Sequence, residues 1–162
     1  MEEEPKTRKL SIVCFSGDFD KALPMLILGT GAAAFDYEVN LFFTFWGLNI
    51  IKKKRGRQPY GRRFLEKMFN VLMGGRNNLP MSKFNFGGMG PTMMQGMMKQ
   101  KKVKGLDDLL KDATSLGCNM YACDMAMNVM GIKREDLIDE VKDCVGVGSF
   151  IANADGGQML FI

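Results

Sequence analysis

Leu10 to Phe15 (LSIVCF) is a short run of apolar and β-branched residues, and Ser16-Gly17-Asp18 behind it has the turn and capping residues that end a strand and start a helix. Lys21 to Ala34 carries the apolar density of a helix lying on a sheet, and Val39 to Trp46 (VNLFFTFW) is almost continuously apolar, as a strand covered on both faces must be. Two strands joined through a helix predict a right-handed β-α-β unit. The alternation resumes later in the chain. Gly105 to Leu116 is amphipathic, Asn119 to Ala122 reads as a brief strand, and Met125 to Met130 as a helical turn stopped by Gly131. Lys133 to Asp139, which opens with Arg134-Glu135-Asp136, reads as helical and Cys144-Val145 as a very short strand. Ser149 to Ala154 is a further helix, and Gly157 to Ile162 a closing strand. The pattern predicts one α/β domain over 1–162, a three-layer α/β/α sandwich around a parallel sheet of about five strands. It does not predict their order.

Between the two halves, residues 52–104 differ in kind. They hold 14 Lys and Arg against the single acid Glu66, so this segment is +13 while the rest of the chain is −9 and the total only +4. The segment is expected to be an insertion in the domain, rich in Met and Gly over Gly87 to Met98, and mobile. Its basic run, Lys52 to Arg63, is expected to be a solvated or anion-facing surface that meets an acidic protein or an anionic membrane. Thioethers can bind Cu(I), but the glycines favour mobility over a fixed coordination shell, and no metal site is expected. Tyr60 is the only aromatic interleaved with the basic run, and no nucleic-acid module is present, so no nucleic-acid partner is expected.

The chain has no histidine, which removes Ser-His-Asp and Cys-His catalysis and histidine-bearing zinc sites together. Met1 to Lys9 is a short charged leader, expected to fray, and no apolar run reaches the length of a bilayer span. The expected location is cytoplasmic. Cys14, Cys118, Cys123 and Cys144 form no CxxC pair and are expected to be reduced thiols. Gly29-Thr30-Gly31 falls late in a helical run and Gly146-Val147-Gly148 lacks a third glycine, so neither is a dinucleotide fingerprint and no cofactor is expected.

Ligands of open parallel sheets gather beyond the carboxyl ends of the strands. Three sets of residues follow such ends: Ser16, Gly17 and Asp18; Trp46 with Gly47, Leu48 and Asn49; and Cys123 with Asp124. They are expected to face one crevice. Cys123 is placed where a strand gives way to a helix N-terminus, a setting that favours thiolate and exposes the sulfur; the alternative is a small buried hydrophobe. Asp124 opposes the thiolate if it points inward, or caps the helix. Asp18 is first a helix cap and second a group orienting a substrate, and Trp46 is a core or interface aromatic or a wall of the thiol pocket. Cys14, Cys118 and Cys144 are expected in the core. Cys118 begins the strand that Cys123 ends, about 16 Å away at the strand rise, too far to pair with it.

The run CNMYACDMAMNVMGI, Cys118 to Ile132, resembles the active-cysteine segment of the DsrE/DsrF-like family, and Phe42 to Leu48, the Met- and Gly-rich insertion and the terminal strand resemble its longer DsrE-like branch. The resemblance covers nearly the whole chain from Leu10. It implies a flavodoxin-like fold, assembly into trimers or hexamers, and Cys123 as the acceptor of sulfane sulfur carried as a persulfide. The function it implies is that of a sulfur carrier or sulfurtransferase exchanging sulfur with donor and acceptor proteins or small thiols. Two alternatives stand beside it: a non-catalytic binding module docking through its basic insertion, and a thiol redox sensor.

Overall fold

The computed structural model describes residues 8–53 and 56–162. The leader to Thr7, and Lys54 and Arg55 of the basic run, lie outside the described residues. Five strands, β1 (Lys9–Cys14), β2 (Glu38–Phe43), β3 (Asn119–Cys123), β4 (Val141–Val145) and β5 (Gln158–Phe161), form one parallel sheet in the order β4-β3-β2-β1-β5. The first four strands step in one direction, and the chain then returns across the sheet to place β5 beside β1.

Side-chain alternation assigns the faces. Val39 and Leu41 meet α1 (Phe19–Ala33), where a Cβ added to Gly29 would lie 3.3 Å from Leu41 Cδ2. The glycine lets α1 sit close to the sheet. α4 (Leu106–Ser115) packs beside α1 and buries Leu106, Leu109, Leu110 and Ala113. Phe42, one residue from Leu41, points to the other face and stacks on Phe150 of α6 (Val147–Ala154), with ring centroids 4.4 Å apart. Each single step between strands has the same hand, whereas the return step reverses direction, so α6 lies opposite α1.

Two predicted elements differ. β2 does not reach Trp46: it ends at Phe43, and Phe45 takes the left-handed φ of 44°, turning the chain into a 3-10 turn over Phe45–Ile50. Lys133 to Asp139 is helical only over Arg134–Asp136. Its backbone is drawn elsewhere, since Lys53 N donates to Asp136 O at 2.7 Å and Ile138 N to Ile51 O at 2.9 Å, while Leu137 is buried.

The segment 52–104 contains α2 (Phe64–Met73) and α3 (Met89–Gln100). Its first residue corrects the reading of a wholly solvated basic run. Lys52 is fully buried. Its Nζ donates to Asn70 Oδ1 at 2.9 Å and to Gly74 O at 3.1 Å, and lies 5.2 Å from the centre of the Tyr60 ring. Asn70 in turn donates to Tyr60 O, Glu66 O and Met130 O, so one buried polar cluster ties α2 to α5 (Asp124–Met130). Burial lowers the Lys52 amine from 10.5 to about 8, with the Asp136 carboxylate opposing the shift.

Between those two values the unfolded chain holds a proton on this lysine that the folded chain has released, so the contribution of Lys52 to stability rises with pH across that window. Urea unfolding of the parent and of Lys52→Met at a series of pH values should show the parent gaining on the variant by about 3 kcal/mol from pH 8 to 10.5. A difference that stays flat with pH would mean the amine is not held in this buried state.

Candidate functional site

The carboxyl ends of β1 and β2 are pressed together by two glycines. Gly47, in the 3-10 turn, donates its N–H to Phe15 O at 3.0 Å, and a Cβ there would lie 2.1 Å from Cys14 O. Gly17 faces the same contact from the other side, where a Cβ would come within 2.7 Å of Trp46 O. No side chain larger than hydrogen fits either place. The close approach forms the floor of a cavity of about 310 Å³.

Ser16, Gly17, Asp18 and Trp46 line this cavity together, with Phe15 and Lys21 beside them and Met73 and Pro80 closing it from the 52–104 segment. Ser16 Oγ donates to Asp18 Oδ2 at 2.9 Å, and Lys21 Nζ lies 3.3 Å from the same oxygen. Asp18 occupies the N-cap position of α1, yet its side chain makes no capping bond. The carboxylate is committed to Ser16 and Lys21. Aromatic rings run past the cavity in a continuous row: Phe161 to Phe15 at 5.8 Å, Phe15 to Phe45 at 5.8 Å, Phe45 to Trp46 at 6.5 Å and Trp46 to Phe69 at 5.3 Å. Trp46 is half-buried in that row.

Pro80 and Ser82 hold the rim. Phe19 N donates to Pro80 O at 2.7 Å, and Ser82 donates both its N–H and its hydroxyl to the Asp20 carboxylate. Burial pushes the Asp20 carboxyl up, but the bonds from Ser82 outweigh it and hold the group below its usual value. A larger cavity, about 460 Å³, lies between α3 and the start of α4 and contains none of the predicted crevice residues.

Cys123 and Asp124 do not line the crevice. Cys123 ends β3 and is the N-cap residue of α5, as the sequence placed it, but it is 1% exposed rather than open to solvent. Around it, α5 packs against the 3-10 turn Phe45–Ile50 and against α2. Asp124 is exposed and neither caps α5 nor points inward; its Oδ2 accepts from Asn128 Nδ2 at 3.2 Å.

The remaining thiols differ in setting. Cys14 donates to Ser16 O at 3.7 Å, and burial pushes it up to about 12. Cys118 donates to Gly29 O at 3.8 Å beneath α1 and is pushed by burial to about 11. Cys144 packs against the margin of the core, half-buried on edge strand β4, its thiol raised by burial with Arg134 opposing. It pairs with Ala122, so by alternation it faces away from Cys123. Gly47, Leu48 and Asn49, expected to face the crevice with Trp46, are buried and do not line it. The Asn49 Oδ1 has no hydrogen-bond partner among the described residues. Among the described residues no group of three or more His, Cys, Asp or Glu side chains could hold a metal ion, and no helix is long and apolar enough to cross a membrane.

The family model described as DsrE/DsrF/DrsH-like matches residues 6–162. The chain belongs to this family. Within the wider set of similar proteins, the uncharacterized protein YrkE of Bacillus subtilis is 42% identical over 159 residues, covering 97% of this chain and 98% of its own. The sulfur carrier protein DsrE2 of Allochromatium vinosum is 32% identical over 143 residues, covering 83% and 86%. Among solved structures, a protein of unknown function, MTH1491 from Methanobacterium thermoautotrophicum, superposes with a TM-score of 0.56 at 12% identity, covering 96% of this chain and 99% of that one. The ychN protein of E. coli gives 0.50 at 14% identity, covering 96% and 100%. These two likenesses establish the DsrE-type fold, a five-stranded parallel sheet with helices.

The glycine contacts make a direct prediction. Gly47→Ala should destabilise the fold by about 2–3 kcal/mol or more, because its Cβ meets backbone rather than a movable side chain. Gly31→Ala, where a Cβ meets nothing within 4 Å in α1, should be neutral or stabilising by about 0.5–1 kcal/mol. Thermal and urea unfolding of the two variants measures both, and equal effects would remove the steric account of the crevice floor.

Proposed function

We propose that the protein is a sulfur carrier that accepts sulfane sulfur on Cys123 and passes it to another thiol. The reading is supported by membership of the DsrE-like family and by a relative at 32% identity that is a sulfur carrier protein. The observation that carries the assignment to Cys123 is its place, ending β3 at the carboxyl edge of the sheet beside the crevice side of the molecule. Cys118 lies at the opposite end of β3, and burial raises the Cys14 thiol to about 12 and the Cys118 thiol to about 11.

The exchange requires no redox partner. The Cys123 thiolate attacks the outer sulfur of a donor persulfide; the new S–S bond forms as the donor's S–S bond breaks, and the donor leaves as a thiolate. The acceptor repeats the step in reverse, taking the outer sulfur and releasing Cys123. Because Cys123 is 1% exposed, the donor reaches it only after the packing around the start of α5 opens. Crevice residues Ser16, Asp18 and Trp46 then border the opened path, and reduced thiols of this kind belong in the cytoplasm.

The same reading includes assembly of copies, trimeric or hexameric. It is supported by the thin outer layer formed by α6, which leaves Val147, Ile151, Met159 and Phe161 exposed.

Intact mass after exposure to a sulfane-sulfur donor tests the assignment. The parent should gain one sulfur atom per chain, reversibly under reductant, and Cys144→Ser should gain it equally. Cys123→Ser should not. Gain by Cys123→Ser but not by Cys144→Ser would move the carrier to the more exposed thiol, and gain by neither parent nor variants would end the sulfur-transfer reading. Alkylation in the folded protein should reach Cys144 first and Cys123 slowly, as burial dictates.

A further inference from the structure

α2 is built inside out. On a helical wheel its apolar residues Phe64, Leu65, Met68, Phe69 and Leu72 share one side, and Glu66 and Asn70 the other. In an ordinary surface helix the apolar side faces the core. Here Asn70 is the one buried residue of the helix, held by Lys52, Tyr60, Glu66 and Met130, while the apolar side faces outward. Phe64 is 78% exposed, Leu65 69% and Leu72 61%. The side chains stand out from the body rather than lining a recess: none belongs to the crevice or to the cavity between α3 and α4.

α3 adds a further exposed apolar row, though its other apolar side faces inward. Met94 and Met98 pack on the core, and Met89, Met93 and Met97, spaced by one turn, form a second exposed row. Both helices lie at the carboxyl end of the sheet. Phe69 of α2 contacts Trp46, and Met98 of α3 shares a cavity with Phe19 at the start of α1.

Within the segment the charges around these rows are basic except for Glu66, while Asp107 and Asp108 of α4 stand beside Met98 and Lys99 of α3. Arg62 and Arg63 precede α2, Lys67 flanks its apolar stripe, and Lys99, Lys101 and Lys102 end α3, all exposed. Glu66, the only acid of the segment, turns its Oε2 back to the N–H groups of Arg62 and Arg63, at 2.7 and 3.1 Å. A second copy docking through this face would bring two segments of +13 together, which like-charge repulsion opposes. A surface that accepts projecting apolar side chains and is itself anionic suits both features. A helix of ten residues, about 15 Å long, fits in the plane of such a surface and not across it.

We propose that α2 and α3 form a docking face for an anionic lipid bilayer, with Phe64, Leu65, Met68 and Leu72 inserted among the headgroups and the surrounding Lys and Arg side chains held at the phosphate plane. This face lies on the insertion and is separate from the thin layer over α6 assigned above to contacts between copies. It does not depend on sulfur transfer.

Sedimentation of the full chain with vesicles tests it, using phosphatidylcholine alone and phosphatidylcholine mixed in equal parts with phosphatidylglycerol. Binding to the mixed vesicles should exceed that to the neutral ones by about tenfold or more and fall as salt is added. The single tryptophan, Trp46, beside Phe69, should change its fluorescence on binding. Leu65→Glu with Leu72→Glu, both at exposed positions, should lower the partition by about tenfold or more, as should Lys99→Gln, Lys101→Gln and Lys102→Gln together. Absence of binding to either vesicle, or binding that neither variant alters, overturns the proposal. So does binding of poly-glutamate in place of vesicles, which assigns the face to an acidic protein, and so does a fall in the native mass of the Leu65→Glu, Leu72→Glu variant, which assigns it to a subunit contact.

Discussion

Everything at the candidate site depends on the approach of two backbone segments to within the reach of a single missing Cβ. The 3-10 turn after β2 rests on the carbonyl of Cys14, and only glycine at position 47 permits it. That contact sets Trp46 against the loop after β1, and the turn it holds packs on α5, the helix whose N-cap is Cys123. The left-handed Phe45 is part of the same turn, a strained backbone of roughly 1–2 kcal/mol held in place by packing on Phe15 and Trp46. The crevice and the packing on the helix that begins at Cys123 therefore share one close contact.

The basic segment is held to the body by two buried polar anchors beside its apolar contacts, which include Leu79, Met94 and Met98 on the core. A lysine with no carboxylate in direct contact among the described residues is costly to bury, and Lys52 is tolerated because Asn70, Gly74 and the Tyr60 ring replace its water. Arg76 adds a second anchor, bonding Asp107 at 2.6 Å and Ile50 O at 2.8 Å. Because α2 turns its polar Asn70 inward to the first of these anchors, its apolar side remains outside. The fold thus presents a charged, apolar surface at the same end of the sheet as the crevice.

The sheet was legible because each buried strand is a continuous apolar run and each crossover helix is amphipathic; Leu10 to Phe15 and Asn119 to Ala122 fall within a residue of β1 and β3. The gathering of Ser16, Gly17, Asp18 and Trp46 was also legible, since parallel strands align their carboxyl ends. What escaped were tertiary choices. Nothing local in VNLFFTFW marks Phe45 as left-handed, and the backbone of 133–139 pairs with 51–53, more than 80 residues away. The exposure of Cys123 was misjudged because strand position fixes where a residue lies but not what covers it. Lys52 and Asn70 were hidden for the opposite reason: composition assigns polar residues to solvent, whereas here they face inward together. The signal that could have exposed them is in FLEKMFNVLM itself, where a lone asparagine lies opposite a five-residue apolar stripe.

A carrier must release what it accepts, and release distinguishes it from a thiol that is merely modified. Protein loaded with isotopically labelled sulfane sulfur, freed of donor and mixed with a small thiol acceptor, measures this in one turnover. The account predicts that the label leaves Cys123 and appears as outer sulfur on the acceptor, at a rate that levels off as acceptor is raised because opening over the buried sulfur becomes limiting. Label that stays on the protein, or that leaves from Cys144 instead, would contradict it.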